Sequence, residues 1–164
     1  MLFDALGVKY EYEPEGYQTK AGWYLPDFRI KCYGLRGSAD EEPFSLYVEV
    51  KGEMTKNDAE KIKEFGKEKP ILIVHRIPDE GCATDSSNCE SYERINGFDI
   101  FPFNYAYIDG DYFAAYPAAT EDGRFYLFGD DSNYIDKEDE KRVEAAYAKA
   151  RQARFEHGES PKAR

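Results

Sequence analysis

Apolar and polar residues alternate most strictly along Phe44-Ser45-Leu46-Tyr47-Val48-Glu49-Val50-Lys51, the pattern of a strand with one covered face. The alternation predicts Phe44, Leu46, Val48 and Val50 turned to the core, with Ser45, Tyr47, Glu49 and Lys51 on the opposite face. Upstream, Val8, Tyr10 and Tyr12 alternate with Lys9, Glu11 and Glu13, which predicts a half-buried strand ended by Pro14-Glu15-Gly16. A further strand is expected from Trp23 to Lys31, with Tyr24, Phe28 and Ile30 on one face and Trp23, Leu25, Asp27 and Arg29 on the other. Leu2, Phe3 and Leu6 before Gly7 predict a short helix closed by a glycine. The three strands are expected to form a meander.

Thr55 followed by Asp58 has the spacing of a capping box, and Ala59, Ile62 and Phe65 supply an apolar stripe, so a helix is predicted over 56–66. Pro70-Ile71-Leu72-Ile73-Val74 is a continuous apolar run, suited to a strand covered on both faces after a crossover helix. From Pro78 to Glu93 the composition is that of a loop. Aromatic segments follow at 98–101, 105–108, 112–116 and 124–128, the last two expected to form a hairpin around Ala119 to Gly123. A final helix is predicted from Asp136 or Lys137 to about Glu156, with Val143, Ala146, Tyr147, Ala150 and Ala153 as its buried stripe and Gly158 as its stop.

At 164 residues the chain fits a single domain. It divides into a core over 1–76, an acidic, aromatic-rich β and loop elaboration over 77–135, and the helix over 136–157. No apolar run approaches the roughly 18 residues of a membrane span, and the start lacks the pattern of a secretory leader. With cysteine sparse and odd in number, at three, a cytoplasmic location with reduced thiols is expected. The net charge is −11, unevenly spread: residues 1–76 carry 12 Lys+Arg against 14 Asp+Glu, and residues 77–164 carry 10 against 19. Phosphate binding draws on Lys and Arg, so this charge weighs against a protein that handles nucleic acid without excluding one.

Glu49 and Lys51 are two apart on one strand and therefore share a face, which a neighbouring strand would bring to Asp27. Two carboxylates and a lysine at one spot can hold a divalent metal and orient a water, the requirements of phosphodiester hydrolysis. The phrases Tyr-Glu-Tyr-Glu-Pro-Glu at 10–15, Tyr-Leu-Pro-Asp-Phe at 24–28 and Val-Glu-Val-Lys-Gly at 48–52 together resemble the PD-(D/E)XK nuclease superfamily, in particular its small phage-type members. The resemblance covers about residues 2–76. It implies an α/β fold with a restriction-endonuclease-like αβββαβ core and a mixed sheet, here followed by a C-terminal hairpin and a long helix. It further implies Asp27 and Glu49 as ligands of Mg²⁺ or Mn²⁺ with the Val50 carbonyl, and Lys51 as the group that orients or helps deprotonate the attacking water. The substrate implied is nucleic acid, DNA foremost, cut to 5′-phosphate and 3′-hydroxyl ends in a (host) cell cytoplasm. On this reading Lys51→Ala removes cleavage and leaves the fold intact.

Glu13, Glu11 and Tyr47 are candidate supporting residues, the glutamates through the first strand, although a solvated face explains them equally well. Trp23, Tyr47 and the aromatic segments could stack on bases, or serve as core. Cys82 and Cys89, with Cys32 and His75, are too widely spaced for a usual zinc site. A different class of function is an acidic binding protein that keeps such a fold without its chemistry, its 79–144 region mimicking nucleic acid and engaging a protein partner.

Overall fold

A computed structural model describes residues 2–35, 42–51, 54–74, 93–95, 98–100, 105–108, 111–128 and 137–156. Helix α1 (Leu2–Ala5) leads into strand β1 (Tyr10–Tyr12), the hairpin β2 (Tyr17–Thr19) and β3 (Gly22–Tyr24), and the long strands β4 (Phe28–Leu35) and β5 (Phe44–Val50). Helix α2 (Lys56–Gly66) crosses to β6 (Ile71–Val74). Strands β7 (Glu93–Ile95) and β8 (Phe98–Ile100) pair only with each other among the described residues. Then come β9 (Tyr105–Ile108), β10 (Asp111–Ala114), β11 (Tyr116–Ala119), β12 (Phe125–Phe128) and helix α3 (Lys137–Glu156).

The main sheet is mixed, in the order β10-β9-β6-β5-β4-β12-β11, with β1 also paired to β4. Strands β5 and β6 run parallel because α2 carries the chain back over the sheet, whereas β4–β5 and β1–β4 are antiparallel. Strands β10 and β11 lie at opposite ends of this order yet are joined by Ala115 alone. The sheet must therefore curl until its edges approach.

Each face has its own cover. On one, Leu46 and Val48 pack with Phe3 and Leu6 of the α1 region and with Val143, Ala146 and Tyr147 of α3. On the other, Tyr47, Ile71 and Ile73 pack with Ala59, Ile62 and Phe65 of α2 and with Tyr24 of the small hairpin. The capping box holds: Thr55 Oγ1 accepts from the Asp58 N–H at 3.2 Å, and the Thr55 N–H donates to the Asp58 carboxylate at 3.2 Å. The run Ile71, Leu72 and Ile73 is buried on both faces as its composition predicts.

Three expectations are revised. The run from Trp23 to Lys31 is two strands, broken at Leu25-Pro26-Asp27, because proline supplies no N–H and restricts the residue before it. The break reverses the parity, so Tyr24 faces α2 whereas Phe28 and Ile30 face α1 and α3. Strand β1 is shorter than the stretch from Val8 to Glu13, and all three of its residues are exposed. The hairpin β2–β3 is inserted along the chain between β1 and β4, while β1, β4 and β5 pair in that order as the expected antiparallel meander. The segment Tyr112 to Tyr116 is divided: β10 pairs with β9, and only β11 pairs with β12.

The β11–β12 turn depends on Gly123, whose φ of 80° is left-handed. A Cβ there would fall 2.2 Å from the Gly7 carbonyl oxygen, backbone that has no room to move. Gly123→Ala is expected to cost about 1–2 kcal/mol in left-handed strain and about 1–3 kcal/mol in overpacking. Urea unfolding with a midpoint equal to wild type would refute this.

Candidate active site

The site forms where the C-terminal end of β5 meets the broken corner before β4. The register pairs Phe28 with Val48, so one step further along this antiparallel ladder Asp27 faces Glu49. The Asp27 carboxylate accepts a hydrogen bond from the Val50 N–H at 2.7 Å, and the Asp27 carbonyl accepts from the Glu13 N–H at 2.7 Å. The Glu13–Asp27 bond continues the β1–β4 register beyond Tyr12 and Phe28, so only the aspartate side chain departs from the ladder. The Pro26 corner frees the aspartate side chain to reach the neighbouring backbone.

Glu49 is 2% exposed, the one charged residue in the core among those described. Its two oxygens are engaged separately: Oε2 accepts from the Tyr24 hydroxyl at 2.7 Å, and Oε1 lies 2.7 Å from Lys51 Nζ. Lys51 Nζ is also 3.6 Å from Asp58 Oδ1, at the first turn of α2. Asp27, Glu49, Lys51 and Asp58 therefore meet at one corner, with Tyr24 as a neutral donor from the hairpin.

The electrostatics follow from this crowding. Burial pushes the Glu49 carboxyl above its ordinary range, against the hydrogen bonds from Lys51 and Tyr24, and the Asp27 charge adds to the rise. For Lys51, burial works against the charge but is outweighed by the hydrogen bond and charge of Glu49, with Asp58 and Asp27 contributing, so its pKa moves up. Lys51 is thus held as an ammonium. In this state it donates hydrogen bonds and positive charge. Burial and the Glu49 charge also raise the Tyr24 phenol, which keeps its proton and remains a donor.

The polar-face expectation for β5 needs correction. Tyr47 and Glu49 were expected on an outer face, but that face is roofed by α2 and both are buried. Val50, expected inward, is 50% exposed because the strand ends there beyond its cover. Of the candidate supporting residues, Glu11 is tied to Arg29 at 2.6 Å, away from the acids. Tyr47 bonds the Tyr17 hydroxyl at 2.6 Å and packs edge-on against Phe65, which makes it a core residue beside the site. Glu13 is exposed, with only its backbone bond to Asp27 connecting it to the corner. Cys32 is buried; Cys82, Cys89, His75 and His157 lie outside the described residues, as does most of the acidic stretch between 75 and 104.

Two site residues were missed from the pattern. Alternation alone places Tyr24 on the face of Phe28 and Ile30; the proline two residues later is the signal that parity changes. The sequence pattern marks Asp58 only as a capping residue, although a helix that begins five residues after Lys51 places its first turn near that lysine.

Among the described residues, no group of three or more His, Cys, Asp or Glu side chains is placed to hold a metal ion. The set present is two carboxylates, Asp27 and Glu49, with the backbone carbonyl of Val50 next after Glu49 in sequence. A carboxylate offers about four lone-pair sites, so the bonds already made leave capacity on both acids. Such a donor set suits a hard cation that keeps several of its waters. Compared with known proteins, the chain matches no family model, no curated protein and no solved structure.

Proposed function

We propose that the chain is a divalent-metal-dependent nuclease with a restriction-endonuclease-like core, acting on DNA. The observation that carries this reading is the convergence of Asp27, Glu49 and Lys51 at a single corner, with Lys51 Nζ 2.7 Å from Glu49 and the Asp27 carboxylate 2.7 Å from the Val50 nitrogen. The order α1, β1, β4, β5, α2, β6 agrees with the αβββαβ order implied by the motif resemblance, the β2–β3 hairpin being an insertion.

Asp27 and Glu49 would hold Mg²⁺ or Mn²⁺ with the Val50 carbonyl. When bound, the cation supplies a water of lowered pKa and neutralises charge on the phosphoryl oxygens. Lys51, kept protonated by Glu49, points its N–H groups at the same corner and adds positive charge where the pentavalent phosphorus builds up negative charge. Tyr24 fixes one Glu49 oxygen, and Asp58 holds the lysine from the opposite side. With Glu49 buried, its charge is costly without a cation, so metal and carboxylate stabilise each other.

The test is purified protein with single- and double-stranded DNA in Mg²⁺ or Mn²⁺. Cleavage by wild type and none by the Asp27→Ala, Lys51→Ala double variant is expected; equal activity of the two would sink the reading. The charge of −11 favours one other reading, an acidic binding protein that acts as a nucleic-acid mimic and engages a host protein. Metal separates the two. A nuclease should melt higher in millimolar Mn²⁺, by the equivalent of about 2.7 kcal/mol at a hundred times the dissociation constant, and an unmoved melting temperature would favour the mimic.

A further inference from the structure

Lys51 has two acidic partners at unequal distances. Its Nζ lies 2.7 Å from Glu49 Oε1 and 3.6 Å from Asp58 Oδ1. The first is a charge-assisted hydrogen bond; the second is an ion pair about 1 Å too long to be one. The Lys51 backbone is fixed independently, its N–H donating to the Val74 carbonyl at 2.9 Å. The side chain can therefore lean from one acid to the other by rotation about its own bonds, with the strand left in place.

Asp58 is built to receive it. Its Oδ2 accepts from the Thr55 hydroxyl at 2.6 Å and from the Thr55 N–H at 3.2 Å, which pins the carboxylate at the start of α2. Its Oδ1 is turned to the lysine. Capping draws on Oδ2 alone, so the helix by itself gives no reason for the direction of Oδ1. The Asp58 side chain is 27% exposed and that of Glu49 is 3% exposed. A lysine that moves to Asp58 moves outward and uncovers the inner acid.

Glu49 supplies the need for such a move. Its Oε2 is taken by the Tyr24 hydroxyl at 2.7 Å and its Oε1 by Lys51. A cation on this carboxylate would share an oxygen with an ammonium, and positive charges that close repel. Asp58 does not join Asp27 and Glu49 in a group placed to hold a metal, so it is no third ligand. Asp27, Glu49 and Asp58 nevertheless share the corner with one ammonium, and the two negative charges left over are the complement of one divalent cation. We propose that Asp58 is a positioning residue for metal uptake: Lys51 passes from Glu49 to Asp58 as Glu49 becomes a ligand, and without Asp58 the lysine stays and competes with the cation. This rests on the metal-dependent reading of the corner and deepens it by naming the device that frees Glu49.

Mn²⁺ alone is the probe, titrated into the full chain without nucleic acid, with free Mn²⁺ read by its paramagnetic resonance. Asp58→Asn keeps an acceptor for the Thr55 hydroxyl and N–H and removes the charge that draws Lys51. It is expected to weaken Mn²⁺ binding about 10-fold, the lower end of the effect of losing an outer partner of a metal ligand. In a Lys51→Met background, with no ammonium to displace, most of that loss should vanish, and Lys51→Met by itself should bind Mn²⁺ more tightly than wild type. A role confined to capping α2 would lower stability without this dependence on Lys51. A crystal structure of the wild type with Mn²⁺ requires no variant to fold: Lys51 Nζ should bond Asp58 and have left Glu49. Equal losses in both backgrounds, wild-type affinity in Asp58→Asn, or Lys51 still on Glu49 beside bound Mn²⁺ would each overturn the proposal and leave the metal-dependent reading standing. Failure of that reading looks different: a wild type that takes up no Mn²⁺ overturns both.

Discussion

Lys51→Ala is expected to abolish metal-dependent cleavage and also to destabilise the fold, by about 3 kcal/mol at neutral to mildly alkaline pH. The figure is the lower end of the range for breaking a buried ion pair by removing one partner, chosen because the Lys51 side chain is 25% exposed while that of Glu49 is only 3% exposed. Without the ammonium, Glu49 is a buried carboxylate whose remaining donor is Tyr24. It can relieve this only by taking up a proton. The folded variant therefore binds a proton more readily than its unfolded chain, and its stability should rise as the pH falls and the carboxyl is neutralised. The gap to wild type should accordingly be widest near pH 8 and narrow toward about pH 5. Urea unfolding of both proteins across that range is the measurement. A gap that is constant with pH would mean that Lys51 does not neutralise Glu49, and no gap at all would restore the simpler expectation that this lysine is dispensable for the fold.

Glu49→Gln separates the acid's chemistry from its structural place. A glutamine can accept from Lys51 through its carbonyl oxygen and donate from its amide to the Tyr24 oxygen, so the metal-free fold should persist. Its carboxylate is gone, however, and both cleavage and the Mn²⁺-induced rise in melting temperature should disappear. In wild type the Glu49 carboxyl titrates above its ordinary range. The stability linked to its protonated form is fully present below the unfolded value and is lost as pH rises through the folded one. The glutamine variant has no such loss. In metal-free buffer its stability relative to wild type should improve with rising pH, and Mn²⁺ should reverse the order by stabilising wild type alone. A variant that still melts higher with Mn²⁺ would remove Glu49 from the metal set.

Together the two substitutions explain why an acid that is 2% exposed is tolerated in a small domain. Its charge is costly on its own and is partly offset by Lys51 and Tyr24. The same logic accounts for the position of Asp58, which caps α2 and also reaches Lys51, so that the start of the helix and the state of the lysine are coupled.

Much of this arrangement could be read along the chain because it rests on local rules. The capping box at Thr55 and Asp58, the buried run Ile71 to Ile73, the turn at Gly123 and the stripe of α3 each depend on residues a few positions apart. The pairing of Glu49 with Lys51 on one face followed from strand periodicity, and the proximity of Asp27 followed from placing adjacent strands side by side. Each of these involves neighbours in sequence or one step of a ladder.

Other features required the assembled sheet. Alternation showed that β5 has two faces but not that α2 would roof the face bearing Glu49, since burial depends on what packs above a strand. The same limit hid the exposure of Val50, where the strand outruns its cover. The division of β10 from β11 across Ala115 was illegible because two aromatic segments compete equally well as partners, and only closure of the curled sheet selects between them. Local periodicity and capping thus determined the elements and the identity of the acids and lysine. The tertiary structure alone decided that Glu49 is buried and that Tyr24 and Asp58 complete its surroundings, because solvent access is a property of the packed layers and of no single strand.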